Sequence, residues 1–108
     1  MFDPIQFKGA TAELVASAEN EAVLTAVLAA ALKVPDTMRL RVEGHTDDRL
    51  DRKIGAARAA AVVRWLSEHG IEGARLTSER MGAQRPVATN ETEAGRAENR
   101  RIEIPLAP

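Results

Sequence analysis

The chain contains no cysteine. Disulfides, thiolate metal sites, thiol catalysis and lipidation of a cysteine within it are therefore excluded. Aromatic residues make up only 3% of the 108 positions, which disfavours an aromatic-rich barrel, and abundant alanine favours closely packed helices. An excess of one charge is also missing. The net charge is −1, so no global field draws the chain to nucleic acid or to an anionic membrane, and recognition must be local. No run is long and apolar enough to span a bilayer, and direct membrane insertion by this chain is not expected. The opening MFDPIQFKGA has neither a basic n-region nor an apolar h-region and does not read as a signal peptide. A Met followed almost at once by a strand-like segment suggests an excised domain, which is compatible with export of the parent protein.

What remains is ordinary for a globular protein: 44% hydrophobic and 29% charged residues. The length fits one domain over residues 1–108. Residues 2–7 read as a short strand ended by Gly9, with Pro4 near its start. Residues 19–33 have helical periodicity, with Val23, Val27 and Ala30 on one stripe and Leu24, Leu28 and Ala31 beside it, and Pro35 closes the helix. Residues 38–43 alternate as a strand with Met38, Leu40 and Val42 on the buried face. A second helix is expected over 54–68, with Ile54, Ala57, Ala61, Val62, Trp65 and Leu66 as its apolar face and Gly70 at its C-terminal cap. A weaker strand covers 74–81, residues 83–95 read as a loop, and 101–106 alternate as a last strand limited by Pro105. The order β-α-β-α-β-β predicts an α+β two-layer sandwich, both helices on one face of a small mixed sheet.

The chemistry concentrates after the strand at 38–43. EGHTDDRLDRK, residues 43–53, packs Asp47, Asp48, Arg49, Asp51, Arg52 and Lys53 around Leu50. His45 beside Asp47 has the composition of half a hydrolytic site or a metal pair. The other histidine, His69, lies near the far end of the next helix, and no serine sits in a glycine-rich elbow. An enzyme, a cofactor and a metal are therefore not expected. Asp47 and Asp48 precede a helix, where carboxylates cap free N–H groups. Arg58 lies among Gly55, Ala56, Ala57, Ala59, Ala60 and Ala61, residues small enough to let a ligand approach the helix. An acid at the strand exit and a guanidinium about one turn into the helix match a zwitterion, one ammonium and one carboxylate. Arg96, Arg100 and Arg101 form either a solvated charged loop or a basic rim to such a site.

Taken together, VEGHTDD at 42–48, ARAAAVVRWLSEHGI at 57–71 and NETEAGRAENRRIEI at 90–104 resemble the OmpA-like C-terminal domain. That module binds peptidoglycan in outer-membrane proteins, peptidoglycan-associated lipoproteins and flagellar stator subunits, and GHTDD is most similar to the stator branch. ARLTSERMGAQRPVATN at 74–90 follows the family's strand, glycine turn and proline loop. The resemblance is strong over 42–104, and residues 1–41 agree in element order. It implies a non-catalytic, cell-wall-anchoring domain on the periplasmic face of the envelope, with peptidoglycan as partner and a second copy of the chain as another candidate. The family's aspartate and arginine, which hold the free amino-acid end of diaminopimelate, carry over to Asp47 and Arg58. The first arginine of its NRR run carries over to Arg100, and Thr46 would hold the turn.

One departure stands out. The family's loop glycine is absent, Asp51 replaces its asparagine, and Asp47 and Arg58 are eleven positions apart, several short of the usual spacing. Two readings follow. Either the turn tightens and Asp47 and Arg58 still face one pocket, or Asp47 or Asp51 pairs with Arg58, fills the pocket, and leaves a structural or self-association module.

Overall fold

A computed structural model describes residues 4–50 and 52–105 of the chain. Its elements are helix α1 (Ala18–Leu32), strand β1 (Leu40–His45), helix α2 (Arg52–Glu68), a 3-10 turn at Gly73–Arg75, strand β2 (Leu76–Gly82), helix α3 (Glu93–Asn99) and strand β3 (Arg101–Glu103). The sheet order is β2-β1-β3, with β1 parallel to β2 and antiparallel to β3. This is the expected α+β class with a small mixed sheet.

β1 is the centre of the molecule. Leu40 and Val42 point toward the helices and join Val27 and Ala31 of α1, Ala59, Val62 and Leu66 of α2, and Ile71 and Leu76 in one core. α1 begins at Ser17, whose hydroxyl accepts from the Asn20 amide, and it buries Asn20, Leu24, Val27 and Ala31. Gly70, at φ +115°, follows α2 in a backbone conformation that favours glycine.

α2 presents a different face from the one its alanines and Trp65 suggested. Gly55, Arg58, Ala59, Val62 and Leu66 are buried, while Ala57 is exposed and Ile54, Ala61 and Trp65 are half-buried. The reason is backbone contact. A Cβ on Gly44 would lie 2.0 Å from the Gly55 carbonyl oxygen, and one on Gly55 would lie 2.7 Å from Thr46 Cγ2. Two glycines let α2 rest directly on β1, and that contact fixes the helix's rotation.

Three further expectations change. The strand expected over 2–7 lies partly outside the described residues; within them it is reduced to one antiparallel bridge, Phe7 to Leu14. Its polar groups are spent locally, because Gln6 N–H donates to Asn20 Oδ1 (2.8 Å) and the Gln6 carbonyl accepts from Val15 N (3.1 Å) and Asn20 Nδ2 (3.1 Å). The last strand pairs only over Arg101–Glu103, with Pro105 beyond the pairing, and Leu106 lies outside the described residues. The stretch read as loop over 83–95 runs into α3, whose N-cap Thr92 accepts from Gly95 N at 3.0 Å. Thr92 followed by Glu93 in the first turn is a helix-start signal that was present in the sequence.

Candidate ligand-binding site

The cluster after β1 forms a tight turn closed by Asp47. Its Oδ1 accepts from the amides of Arg49 (2.8 Å) and Leu50 (2.6 Å), and its Oδ2 accepts from Arg100 Nη1 at 2.6 Å. Only 2% of Asp47 is exposed. Burial alone would raise its carboxyl pKa, but the hydrogen bonds from Leu50, Arg100 and Arg49 outweigh it and hold the group below the ordinary aspartate range.

Arg58 is 7% exposed and comes from α2, one turn past the Gly44–Gly55 contact. Its Nε donates to the Thr11 carbonyl (2.8 Å), its Nη2 to the Gly9 carbonyl (2.9 Å), and its guanidinium lies 4.8 Å from the Phe7 ring centroid. These acceptors sit on the hairpin around residues 7–14, which Asn20 anchors. Burial and repulsion from Arg100 lower the Arg58 pKa, and attraction to Asp47 opposes them. Charge without a paired anion in so buried a place is costly. It is partly offset by the carbonyl dipoles and the aromatic face.

Arg100 is placed by its neighbour. Asn99, fully buried, accepts from the amides of Val87 (2.8 Å) and Ala88 (3.0 Å) and donates to the Ala88 carbonyl (2.9 Å) and Asn90 Oδ1 (2.8 Å). α3 and the preceding loop become one unit, and Arg100 leaves it aimed at Asp47. Its Nη2 also reaches Glu93 at 2.5 Å, and hydrogen bonds from Glu93 and then Asp47 raise its pKa despite burial. Glu93 is lowered by hydrogen bonds from Arg100 and Arg96.

A cavity of about 440 Å³ opens between these parts, lined by Gly9, Ala10, Asp47, Arg49, Leu50, Arg58, Glu93, Arg96 and Arg100. Three of the five residues singled out from sequence therefore share a wall: Asp47, Arg58 and Arg100. Thr46 is not on it. Its amide donates to the Gly82 carbonyl at 3.0 Å, its methyl faces Gly55, and its buried hydroxyl has no partner among the described residues. Asp51 lies outside the described residues. Of the arginines offered as a rim, Arg96 and Arg100 reach the cavity, whereas Arg101 turns to Glu103 and the Arg85 carbonyl. No Asp47–Arg58 ion pair forms among the described residues; Arg100 takes the aspartate instead.

His45 and Asp47 do not meet. His45 Nε2 lies 3.0 Å from Glu43 Oε1 and 3.6 Å from Glu103 Oε2. Glu43, His45 and Glu103 bring potential metal donors within 4.8 Å of one another. Arg41 already pairs with Glu43 at 2.9 Å and Arg101 with Glu103, so a cation would compete with two guanidinium groups.

The sequence pattern of the OmpA family matches residues 6–100. The chain belongs to that family. The C-terminal domain of Helicobacter pylori MotB is similar at a TM-score of 0.82 and 26% identity, over 96% of this chain and 83% of that one. The cell wall anchor of the T6SS from Pseudomonas aeruginosa is similar at a TM-score of 0.78 and 33% identity, over 91% of this chain and 71% of that one. The peptidoglycan-associated lipoprotein of Pseudomonas aeruginosa is 43% identical over 70 residues, 61% of this chain and 42% of that protein. The chain spans about half the length of other curated relatives it matches.

The sequence reading missed the wall supplied by Gly9 and Ala10, Glu93 as the second anion, and Arg49 as a lining residue. Arg49 stood in the charge cluster, but nothing local to it signalled which way the turn would face.

Proposed function

We propose that this OmpA-family domain binds peptidoglycan non-covalently, without catalysis, and anchors an envelope protein to the wall on the periplasmic side. In this reading residues 1–108 make one such domain. The ligand group is the free amino-acid end of diaminopimelate in the stem peptide. Asp47 contacts its ammonium and Arg58 its carboxylate, Arg100 holds Asp47 in place, and Thr46 supports the turn. The observation that carries this is the joint placement of Asp47 and Arg58 on one cavity wall, oppositely charged, buried and not paired with each other. Relatives named as a peptidoglycan-associated lipoprotein and a cell wall anchor support the same partner. A single site of this kind gives micromolar to millimolar affinity, on the order of 4–8 kcal/mol. Many copies facing one wall make the tether effective through avidity.

The alternative is a domain that keeps the fold and self-associates without the ligand. It is favoured by Arg100 already neutralising Asp47.

Titration of isotope-labelled protein with a diaminopimelate muropeptide separates the two. Saturable amide shifts at Thr46, Asp47, Arg58 and Arg100 are expected. Arg58→Lys should weaken them roughly tenfold or more, because an ammonium cannot reproduce the guanidinium fork. A folded wild-type protein with no shifts at several millimolar, on the order of the weakest useful affinity, sinks the binding reading; sedimentation then tests self-association.

A further inference from the structure

We infer that the shortened turn makes Arg49 a second carboxylate contact, so that the site selects stem peptides with a free carboxylate beyond the zwitterionic end; this rests on the peptidoglycan reading above. Among the described residues the cavity is lined by four arginines, Arg49, Arg58, Arg96 and Arg100, and two acids, Asp47 and Glu93. Both acids are already engaged. Asp47 is held by Arg100 at 2.6 Å, and Glu93 is shared between Arg100 at 2.5 Å and Arg96 at 3.2 Å.

Arg58 and Arg49 are left. Arg58 spends its hydrogen bonds on the neutral carbonyls of Thr11 and Gly9. The Arg49 side chain has no ion pair among the described residues. Two guanidinium groups thus line the cavity with no ion pair among the described residues, and one of them is buried, a situation a ligand anion relieves. A zwitterionic end adds one cation and one anion. Its carboxylate satisfies Arg58 and its ammonium approaches Asp47, which leaves Arg49 still unmatched at the exposed side.

The position of Arg49 is not accidental to the site. Its own amide donates to Asp47 Oδ1 at 2.8 Å, so the hydrogen bond that orients the ammonium contact also sets Arg49 on the cavity wall. A stem peptide has two further carboxylates to offer: the α-carboxylate of its γ-linked glutamate, and its C-terminus. Either one carries the chemistry Arg49 needs.

The test is calorimetric titration of the whole chain with three soluble muropeptide tetrapeptides. One has both carboxylates free, one carries isoglutamine, and one carries a C-terminal amide. We expect one of the two amides to bind roughly tenfold more weakly than the free peptide, the loss of a single charge-assisted contact, and that arm names the source. Arg49→Gln should bring the free peptide to the weaker value and remove the discrimination. Equal binding of all three peptides to the wild-type protein overturns the inference while leaving the peptidoglycan reading intact. Discrimination that persists in Arg49→Gln also overturns it. Failure of all three to bind overturns both readings together. The peptide series is read on wild-type protein and does not depend on a variant's folding.

Discussion

Asp47→Asn changes one oxygen to an NH2 group and makes a sharp test of the turn. In the wild-type protein Oδ1 serves two backbone amides and Oδ2 serves Arg100. Asparagine keeps only one acceptor. Either it faces the turn and an NH2 opposes Arg100, donor against donor, or it faces Arg100 and the turn amides of Arg49 and Leu50 lose their partner. A charge-assisted hydrogen bond is worth roughly 1.5–3 kcal/mol. Arg100 retains Glu93 and is about a quarter exposed, so solvent screening reduces the loss. We therefore expect a cost of about 1.5–2 kcal/mol at neutral pH, in the lower part of that range. Urea denaturation of both proteins at a series of pH values measures it. The sign of the pH dependence follows from the lowered Asp47 pKa. The carboxylate's contribution is complete above the unfolded value, near 3.9, and is lost as pH falls through the lower folded value. The stability gap between the two proteins should therefore begin to narrow as pH falls below the unfolded value and close as pH falls through the lower folded one. Carboxylates that do not share Arg100 titrate in both proteins and cancel in the difference. A gap that stays constant down to pH 2–3, values below the usual aspartate range, refutes the electrostatic account. A gap under roughly 0.5 kcal/mol at pH 7 shows that the Arg100 contact contributes little beyond a surface pair.

Asn99→Ala removes four hydrogen bonds from a fully buried amide. It should cost about 3 kcal/mol, and a thermal melt should shift down by roughly 10–20 °C. Gly44→Ala places a Cβ 2.0 Å from the Gly55 carbonyl oxygen and should cost about 3 kcal/mol or prevent folding, measured by denaturant midpoint. Gly73→Ala, with nothing within 4 Å of the added Cβ, serves as its control and should stay within about 0.5 kcal/mol of wild type.

The fold class was legible because hydrophobic period separates α1 and α2 from β1 and β3, whereas β2 reads as a weaker strand and α3 has no apolar period to mark it. The candidate site was legible in part, because residues of one sign or the other stood on a recognisable strand-to-helix connection. What escaped was whatever depends on contacts distant in sequence. Arg58 reaches acceptors 47 and 49 positions away, and no local pattern marks a guanidinium for burial. Asn20 and Asn99 carry no local signal of burial, yet each is buried with its amide bonded to the backbone of a nearby loop. The buried face of α2 was misread for a related reason. Alanine is compatible with either side of a helix, so the glycine pair at 44 and 55 decides the rotation, and its effect appears only when strand and helix meet.

That glycine contact also explains how so short a turn can serve the site. Asp47 lies three positions beyond Gly44, and Arg58 lies three positions beyond Gly55, about one helical turn. Both are measured from the point where the backbones of β1 and α2 touch, not along the connection between them. Helical side chains also lean toward the helix N-terminus, which carries the Arg58 guanidinium back toward the turn. Loop residues between Asp47 and the start of α2 can be lost without moving either anchor, provided the remaining turn closes. Asp47 closes it by accepting from Arg49 and Leu50 within three positions. Within the charge cluster after GHT, Asp47 is buried while Asp48 and Arg49 stay exposed. The buried acid satisfies the turn, and the cluster's first arginine is left facing the cavity.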